Sequence, residues 1–349
     1  METKKYSVIL WPWIFLMLLL ALTSCEKEEE EKHPPANLDL TGVDFISQHE
    51  ATFSGDIYGD LEDVIEAGFC WNTTENPTIS HNRIVSDIGE GLFSNRVDEL
   101  ESGEVYYVRA YYTWNDSVYY SGQKSFQPPE NITDNQGHVY GVVQVGNQLW
   151  MQQNLQTTMF NKGDEIPDGT GVGNYTYMDQ PLFYFNYEDD DSHVENYGRL
   201  YTWYVVTDER GVCPPGWRLP DILDWEELIF HLDALAVGYD ELIEDDPSLS
   251  PEAGGLLKST GTLEAGDGLW HEPNEGASNK TALNMHPSGW RDPSGAFDGM
   301  GYSASFWAFT ENSSDKGIMF YTHFFNSGFY GNAFTKQTGY AVRCMKDIE

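Results

Sequence analysis

The stretch GVCPPGWRLPDILDWEEL, residues 211–228, holds a turn, a cysteine and a capped helix start in eighteen residues. Pro214-Pro215-Gly216 breaks any regular element, and Pro220 closes the approach to a helix. Asp221 is placed to cap that helix, and Asp224 stands at its third position, the spacing of a capping box. Trp225, Leu228, Ile229, Leu232 and Leu235 fall at i, i+3, i+4, i+7 and i+10, so one apolar stripe is expected to face a core.

Outward from this helix the pattern is irregular, then strand-like. Gly198–Val206 reads as a second short helix, with Leu200, Trp203 and Tyr204 inward. Upstream, Val139–Val145, a Gly146-Asn147 turn and Gln148–Met151 read as a hairpin. Beyond Gly238, Gly, Asn, Ser and Pro are dense as far as Gly301. Strands return at Phe306–Phe309, Ile318–Phe325 and Tyr340–Met345, and in the last Tyr340, Val342 and Cys344 share a face. A hairpin, two helices, a long excursion and closing strands form an α+β order over residues 135–349. Cys213 and Cys344 lie in this one unit and are expected to pair, although spacing alone leaves connectivity open.

Residues 38–127 read differently. Short alternating runs are punctuated at Gly55, Gly59-Asp60, Asn76-Pro77, Ser102-Gly103 and Asn115-Asp116, the pattern of an all-β sandwich. In Val105–Tyr112, Tyr106, Val108, Ala110 and Tyr112 share one face, and Leu100–Gly103 leads into a tyrosine corner at Tyr106. Cys70, in GFCW, is expected to be a buried free thiol. Pro128-Pro129 opens a linker, residues 128–134, between the two units.

These residues carry two resemblances. GFCWNTTENPT (68–78), FSNRVDELESGEVYYVRAYYT (93–113) and YYSGQKSF (119–126) resemble fibronectin type III-like modules, immunoglobulin-like sandwiches that act as spacers or interaction domains. HVYGVVQVGNQLWMQQNL (138–155), YGRLYTWYVV (197–206), the 211–228 stretch, GLLKSTG (255–261), FWAFTEN (306–312) and GYAVRCMKD (339–347) together resemble the Fibrobacter succinogenes major paralogous domain. That family resembles C-type lectin-like folds and occurs on secreted or surface lipoproteins. The resemblance therefore implies a multidomain chain, an all-β sandwich followed by an α+β lectin-like domain.

The N-terminus reads as a lipoprotein signal over residues 1–24. Lys4 and Lys5 precede an apolar run from Val8 to Leu22, shorter than the ~20 residues of a bilayer span. An uncleaved anchor helix is the alternative. Leu22-Thr23-Ser24-Cys25 resembles a lipobox, which implies diacylglycerol on the Cys25 sulfur and an acyl group, commonly palmitate, on its new amine. At ~0.8 kcal/mol per buried CH₂, several chains hold a protein to a membrane. EKEEEEKHPP follows Cys25 in a charged tether, residues 25–37, with little to bury. Its acids resemble the export signal of Bacteroidetes surface lipoproteins, which implies an outer-membrane protein facing the cell exterior; the periplasmic face is the alternative.

The chain has 349 residues, 56 acidic against 19 basic, and a formal net charge of −37. Such acidity repels phosphate backbones and excludes nucleic acid as a partner.

Three features are candidate sites. Glu272-Pro273-Asn274, in WHEPNEG, matches the triplet whose oxygens hold Ca²⁺ in C-type lectins, so Glu272 and Asn274 are candidate metal ligands and Ca²⁺ a candidate ion. The WND triplet that completes the lectin site occurs only at Trp114-Asn115-Asp116, in the other unit, and a chance match is the alternative. Glu188-Asp189-Asp190-Asp191, near Glu195, is an acidic run that could coordinate Ca²⁺ but lacks EF-hand spacing, and a solvated loop is the favoured reading. Trp307, Tyr321, His323, Asn326, Tyr330 and Asn332 form an aromatic and amide display suited to sugar rings. Core packing competes for each of these residues, because the 318–325 strand is apolar on both faces. The motifs GxSxG, HExxH, the P-loop and GxGxxG in strand–helix context are absent. The expectation is a non-enzymatic binding module for glycan or a protein partner, anchored to a membrane by lipid and requiring no cofactor. A structural adhesion component is the alternative, and a polysaccharide-acting enzyme stands third.

Overall fold

A computed structural model describes residues 36–87, 89–242 and 247–348, and strands dominate it. The signal segment, Cys25 and the tether up to residue 35 lie outside the described residues. No helix among the described residues is long and apolar enough to cross a membrane.

Residues 36–126 form two facing antiparallel sheets. The first contains β1 (Ala36–Asp44), β2 (Ala51–Gly59) and β5 (Gly91–Val97). The second orders β4 (Asn82–Ser86), β3 (Val64–Asn72), β6 (Tyr106–Trp114) and β7 (Ser117–Tyr120), with β8 (Lys124–Phe126) also on β6. Alternation works as anticipated in β6: Tyr106, Val108, Ala110 and Tyr112 are buried, the first three packing with Phe53, Phe69 and Phe126. The Tyr106 hydroxyl accepts the Glu101 amide at 3.0 Å, closing the corner. Gly55 is a correction. It lies inside β2 rather than at a turn, facing Phe93, whose ring would stand 2.8 Å from a Cβ there. Cys70 is free and fully buried, and burial pushes its thiol up to about 11.

The C-terminal region is built around one main helix, α1 (Ile222–Leu232). Asp221 accepts the Leu223 and Asp224 amides, and the Asp224 carboxylate accepts the Asp221 amide, so the capping box forms. Such a cap is worth about 1 kcal/mol. Trp225, Leu228 and Ile229 are buried against Phe306, Phe320 and Phe329, each contributing roughly 1.5–3 kcal/mol. The helix stops at Leu232, so Leu235 leaves the stripe and is 73% exposed. Gly198–Val206 is a strand, Leu200–Thr202, followed by one helical turn, Trp203–Val206. Pairing of Tyr201 with both Tyr184 and Tyr340 overrides the helical spacing, and Val205 and Val206, not Trp203 and Tyr204, are the buried pair.

Sheets surround the helix. The hairpin of β9 (Val142–Val145) and β10 (Gln148–Met151) forms, and Val139–Tyr140 pairs separately with Ile132–Thr133. A five-stranded sheet orders Tyr184–Phe185, Leu200–Thr202, Gly339–Tyr340, Ser288–Arg291 and Phe297–Met300. A four-stranded sheet orders Ser248–Ser250, β13 (Phe329–Thr335), β12 (Lys316–His323) and β11 (Ser303–Glu311). The expected closing strand is split: Gly339–Tyr340 joins the five-stranded sheet and β14 (Met345–Asp347) joins β10. Cys344 lies in the gap, bonded to Cys213 with their Cα atoms 5.8 Å apart.

The two regions meet at a seam. Ile46 and Gln144 exchange backbone hydrogen bonds of 3.1 and 2.8 Å, and the Gln48 amide donates to the Val142 carbonyl at 2.8 Å. Asp44 accepts the Gly146 amide at 3.0 Å and pairs with His231 on α1.

Candidate functional site

The β11–β12–β13 sheet has two unlike faces. Ala304, Phe306, Ile318, Phe320 and Phe329 pack beneath it against Trp225. On the other face, Ser303 stands opposite His323, Tyr321 lies between Ser305 and Tyr330, and Met319 lies between Trp307 and Asn332. The five-stranded sheet covers one end of this face, where Trp307 and Met319 are buried. Beyond its edge the face opens into a cavity of about 220 Å³.

Tyr321, His323 and Asn332 line that cavity, with Phe334 on the same sheet and Trp290 and Tyr340 from the neighbouring one. Ser303 and Ser305 form its hydroxyl-bearing side. Tyr321 stacks on Tyr330 with centroids 5.2 Å apart, and His323 stacks on Phe325 at 5.0 Å. Asn326 donates to the Tyr330 hydroxyl at 2.7 Å and accepts the Gly328 amide at 3.0 Å, so it braces the rim rather than lining the cavity. Trp307 is a correction to the display: it is fully buried, its indole donating to the Tyr201 carbonyl at 2.9 Å, and it packs behind the cavity against Tyr340. Burial holds the His323 imidazole below its ordinary range, so it is neutral at neutral pH. Gly299 positions Trp290, because it has a φ of +78° and a Cβ there would meet the indole at 2.2 Å.

In the Glu272–Asn274 triplet the Glu272–Pro273 bond is cis, and the buried Asn274 Oδ1 has no hydrogen-bond partner among the described residues. Glu272 is exposed, whereas Asn274 is buried, its amide donating to the Ser259 and Gly261 carbonyls at 3.0 Å each. The Glu188–Asp191 run is folded into tight turns: Asp189 accepts the Gly171 amide, Asp190 the Ser192 amide, and Asp191 pairs with Asn186. Among the described residues no cluster of three or more His, Cys, Asp or Glu side chains is placed to hold a metal ion.

Four buried cations carry structural weight that the sequence reading missed. Lys258 is fully buried, and its ammonium donates to the carbonyls of Glu275, His323 and Asn326 at 2.8, 2.9 and 2.9 Å. It thus clasps the 271–279 loop to the β12–β13 turn at the cavity rim. Burial brings it down to about 8. Arg343 is fully buried and donates to the carbonyls of Met151, Leu283 and Asn284 and to the Asn154 side chain. Arg291 donates to the carbonyls of Gly169 and Val172 within a cage of Tyr175, Phe185 and Phe297. Lys336 pairs with Glu311 and the Ser314 carbonyl over the Trp203 ring. The available signal was a lone base among apolar neighbours, as in GLLKSTG and GYAVRCMKD.

No curated protein matches the sequence. Two structures of the sensor domain of the anti-sigma factor RsgI4 of Pseudobacteroides cellulosolvens are similar to part of the chain. They share 14% and 12% identity with it, cover 28% and 27% of it and 98% and 75% of themselves, and each has a TM-score of 0.22. The model of the Fibrobacter succinogenes major domain matches residues 143–346, more than half of the sequence and every strand that builds the cavity. The chain belongs to the Fibrobacter succinogenes major domain family.

Proposed function

We propose that this protein is a lipid-anchored, non-enzymatic binding module that captures glycan at the cavity over β11–β13. One observation carries the reading: an open, aromatic-walled cavity with hydroxyl and amide groups, built on a strand face whose reverse is packed into the core. Sugar CH faces stack on aromatic rings while their hydroxyls bond to Ser, Asn and His. Function in this reading sits on the C-terminal region, lectin-like in its α+β order, with the fibronectin-like sandwich as a spacer. The anchor is lipid on Cys25 and the location is the outer membrane, facing outward. The reading calls for no calcium at the cavity, whose wall among the described residues holds no carboxylate and whose rim carbonyls are engaged by Lys258.

The test is a glycan array probed with the full chain in a sugar-free detergent. Binding that falls at least about tenfold in Tyr321→Ala supports the reading, since an aromatic anchor is worth over ~1 kcal/mol. Silence across all glycans together with self-association would favour the adhesion role instead. Cys25→Ser should release the protein from membranes, as followed by fractionation; a variant that still pellets with them refutes the anchor.

A further inference from the structure

The cavity's small size and its hydrogen-bond inventory narrow what it can hold. About 220 Å³ is below the roughly 300–1,000 Å³ of pockets that enclose drug-sized ligands. One six-membered ring with its hydroxyls fills that space, and further rings of a longer glycan would lie outside it.

The serines set the polarity. Each hydroxyl has one proton to give and two lone pairs to offer. Ser303 Oγ lies 3.4 Å from the Thr322 carbonyl and 3.0 Å from Ser305 Oγ. A carbonyl only accepts, so when the Ser303 proton goes to Thr322, Ser305 donates to Ser303; the shorter contact equally allows Ser303 to donate to Ser305. In either arrangement Ser305 Oγ keeps a free lone pair, and Ser305 is only 2% exposed. A ligand donor can be accepted there.

That donor is a hydroxyl rather than an ammonium. Among the described residues the cavity wall includes no Asp, Glu, Lys or Arg side chain, and His323 is held neutral by burial, so a charged ligand would enter without a counter-charge. Anionic sugars face a further penalty from the field of a chain with net charge −37. The Lys258 ammonium at the rim is engaged elsewhere. Its three protons are committed to three carbonyls, two of which, those of His323 and Asn326, belong to the cavity's own rim. The ammonium orders that rim without a metal.

We infer that this cavity takes a single neutral sugar ring, donating a hydroxyl proton to Ser305, and that it does so without a metal ion. The inference rests on the cavity being a glycan site, and the experiment separates the two. The full chain in a sugar-free detergent is titrated with methyl glycosides of glucose, galactose and mannose, and of galacturonic acid and glucosamine. Tryptophan fluorescence reports Trp290, and each titration is run with EDTA and with CaCl₂.

At least one neutral glycoside should saturate, with dissociation constants in EDTA and calcium agreeing within about twofold. The charged glycosides should bind at least about tenfold more weakly. Ser305→Ala should weaken the neutral ligand about fivefold or more through the lost acceptor. Asn332→Ala, at an exposed position, gives a second loss if Ser305→Ala does not fold. Equal or better binding of the charged glycosides, abolition by EDTA, or oligosaccharide binding that no monosaccharide competes with would overturn the inference and leave the glycan reading standing. Absence of binding by any saccharide of any length would overturn both.

Discussion

The N-terminal sandwich and the C-terminal region solve the same problem with different chemistry. In residues 36–126 every strand has a ladder partner, so backbone groups satisfy one another and apolar side chains fill the space between sheets. Its ion pairs, Arg83 with Glu66 and Arg96 with Glu50, are surface contacts worth little. The C-terminal region has long irregular stretches whose buried carbonyls lack a ladder. Arg343, Lys258 and Arg291 reach into those stretches and donate to them. A chain with only 19 basic residues thus places several of them inside. The lesson is that irregular backbone can be buried when a multi-donor side chain replaces the missing strand.

The contrast is open to direct attack, most severely at Arg343. Arg343→Met should orphan the carbonyls of Met151, Leu283 and Asn284 and the Asn154 oxygen, costing about 4 kcal/mol or more. Near-UV circular dichroism should then show the C-terminal region melting early while the sandwich keeps its midpoint. A single unshifted transition would dissolve the contrast. The double substitution Cys213→Ala/Cys344→Ala should cost roughly 2–4 kcal/mol in urea unfolding, because the bridge closes a span of 131 residues. Lys258→Met should destabilise by about 2–3 kcal/mol and weaken ligand capture, since the cavity rim loses its clasp. Cys70→Ala, in the sandwich, should cost only about 1 kcal/mol, as a small buried group is removed from a laddered core.

The smallest effect is expected at the seam. The Asp44 carboxylate bonded to His231 holds that imidazole above its ordinary 6.5. A raised folded-state value means the contribution is complete below about pH 6.5 and is lost as pH rises through the raised value. Because His231 is 38% exposed, screening keeps it below about 1 kcal/mol. Urea midpoints measured across that window should fall slightly with rising pH in the native chain, and His231→Gln should flatten the trend. A variant that keeps the full slope would assign the pH dependence to other groups.

What could be read beforehand was local. Asp221 and Asp224 declare a helix start because a cap depends on residues three apart, and the 3.6-residue spacing of Trp225, Leu228 and Ile229 declares the buried face. The same spacing failed at Leu235, since nothing in periodicity says that Asp233 adopts an extended backbone and ends the helix. Leu200–Thr202 misled because its conformation is decided by strand partners distant in sequence: Tyr201 pairs with Tyr184 upstream and with Tyr340 far downstream. In the cavity, Tyr321, His323 and Asn332 were visible as one display, whereas Trp290 and Tyr340 come from another sheet and were not.

The sequence by itself determined the periodic elements, the capping box, the alternation of β6 and β12, and the family to which residues 143–346 belong. Tertiary structure decided which aromatics are core and which are site. Strand β12 is apolar on both faces, so its alternation assigns sides without saying which side is covered. Coverage depends on where the five-stranded sheet ends over it: Trp307 falls under that sheet and Tyr321 at its edge. The same holds for Lys258, whose role exists only because the Glu275, His323 and Asn326 carbonyls converge on it. Local spacing specifies what a residue can offer, and the folded chain specifies what it meets.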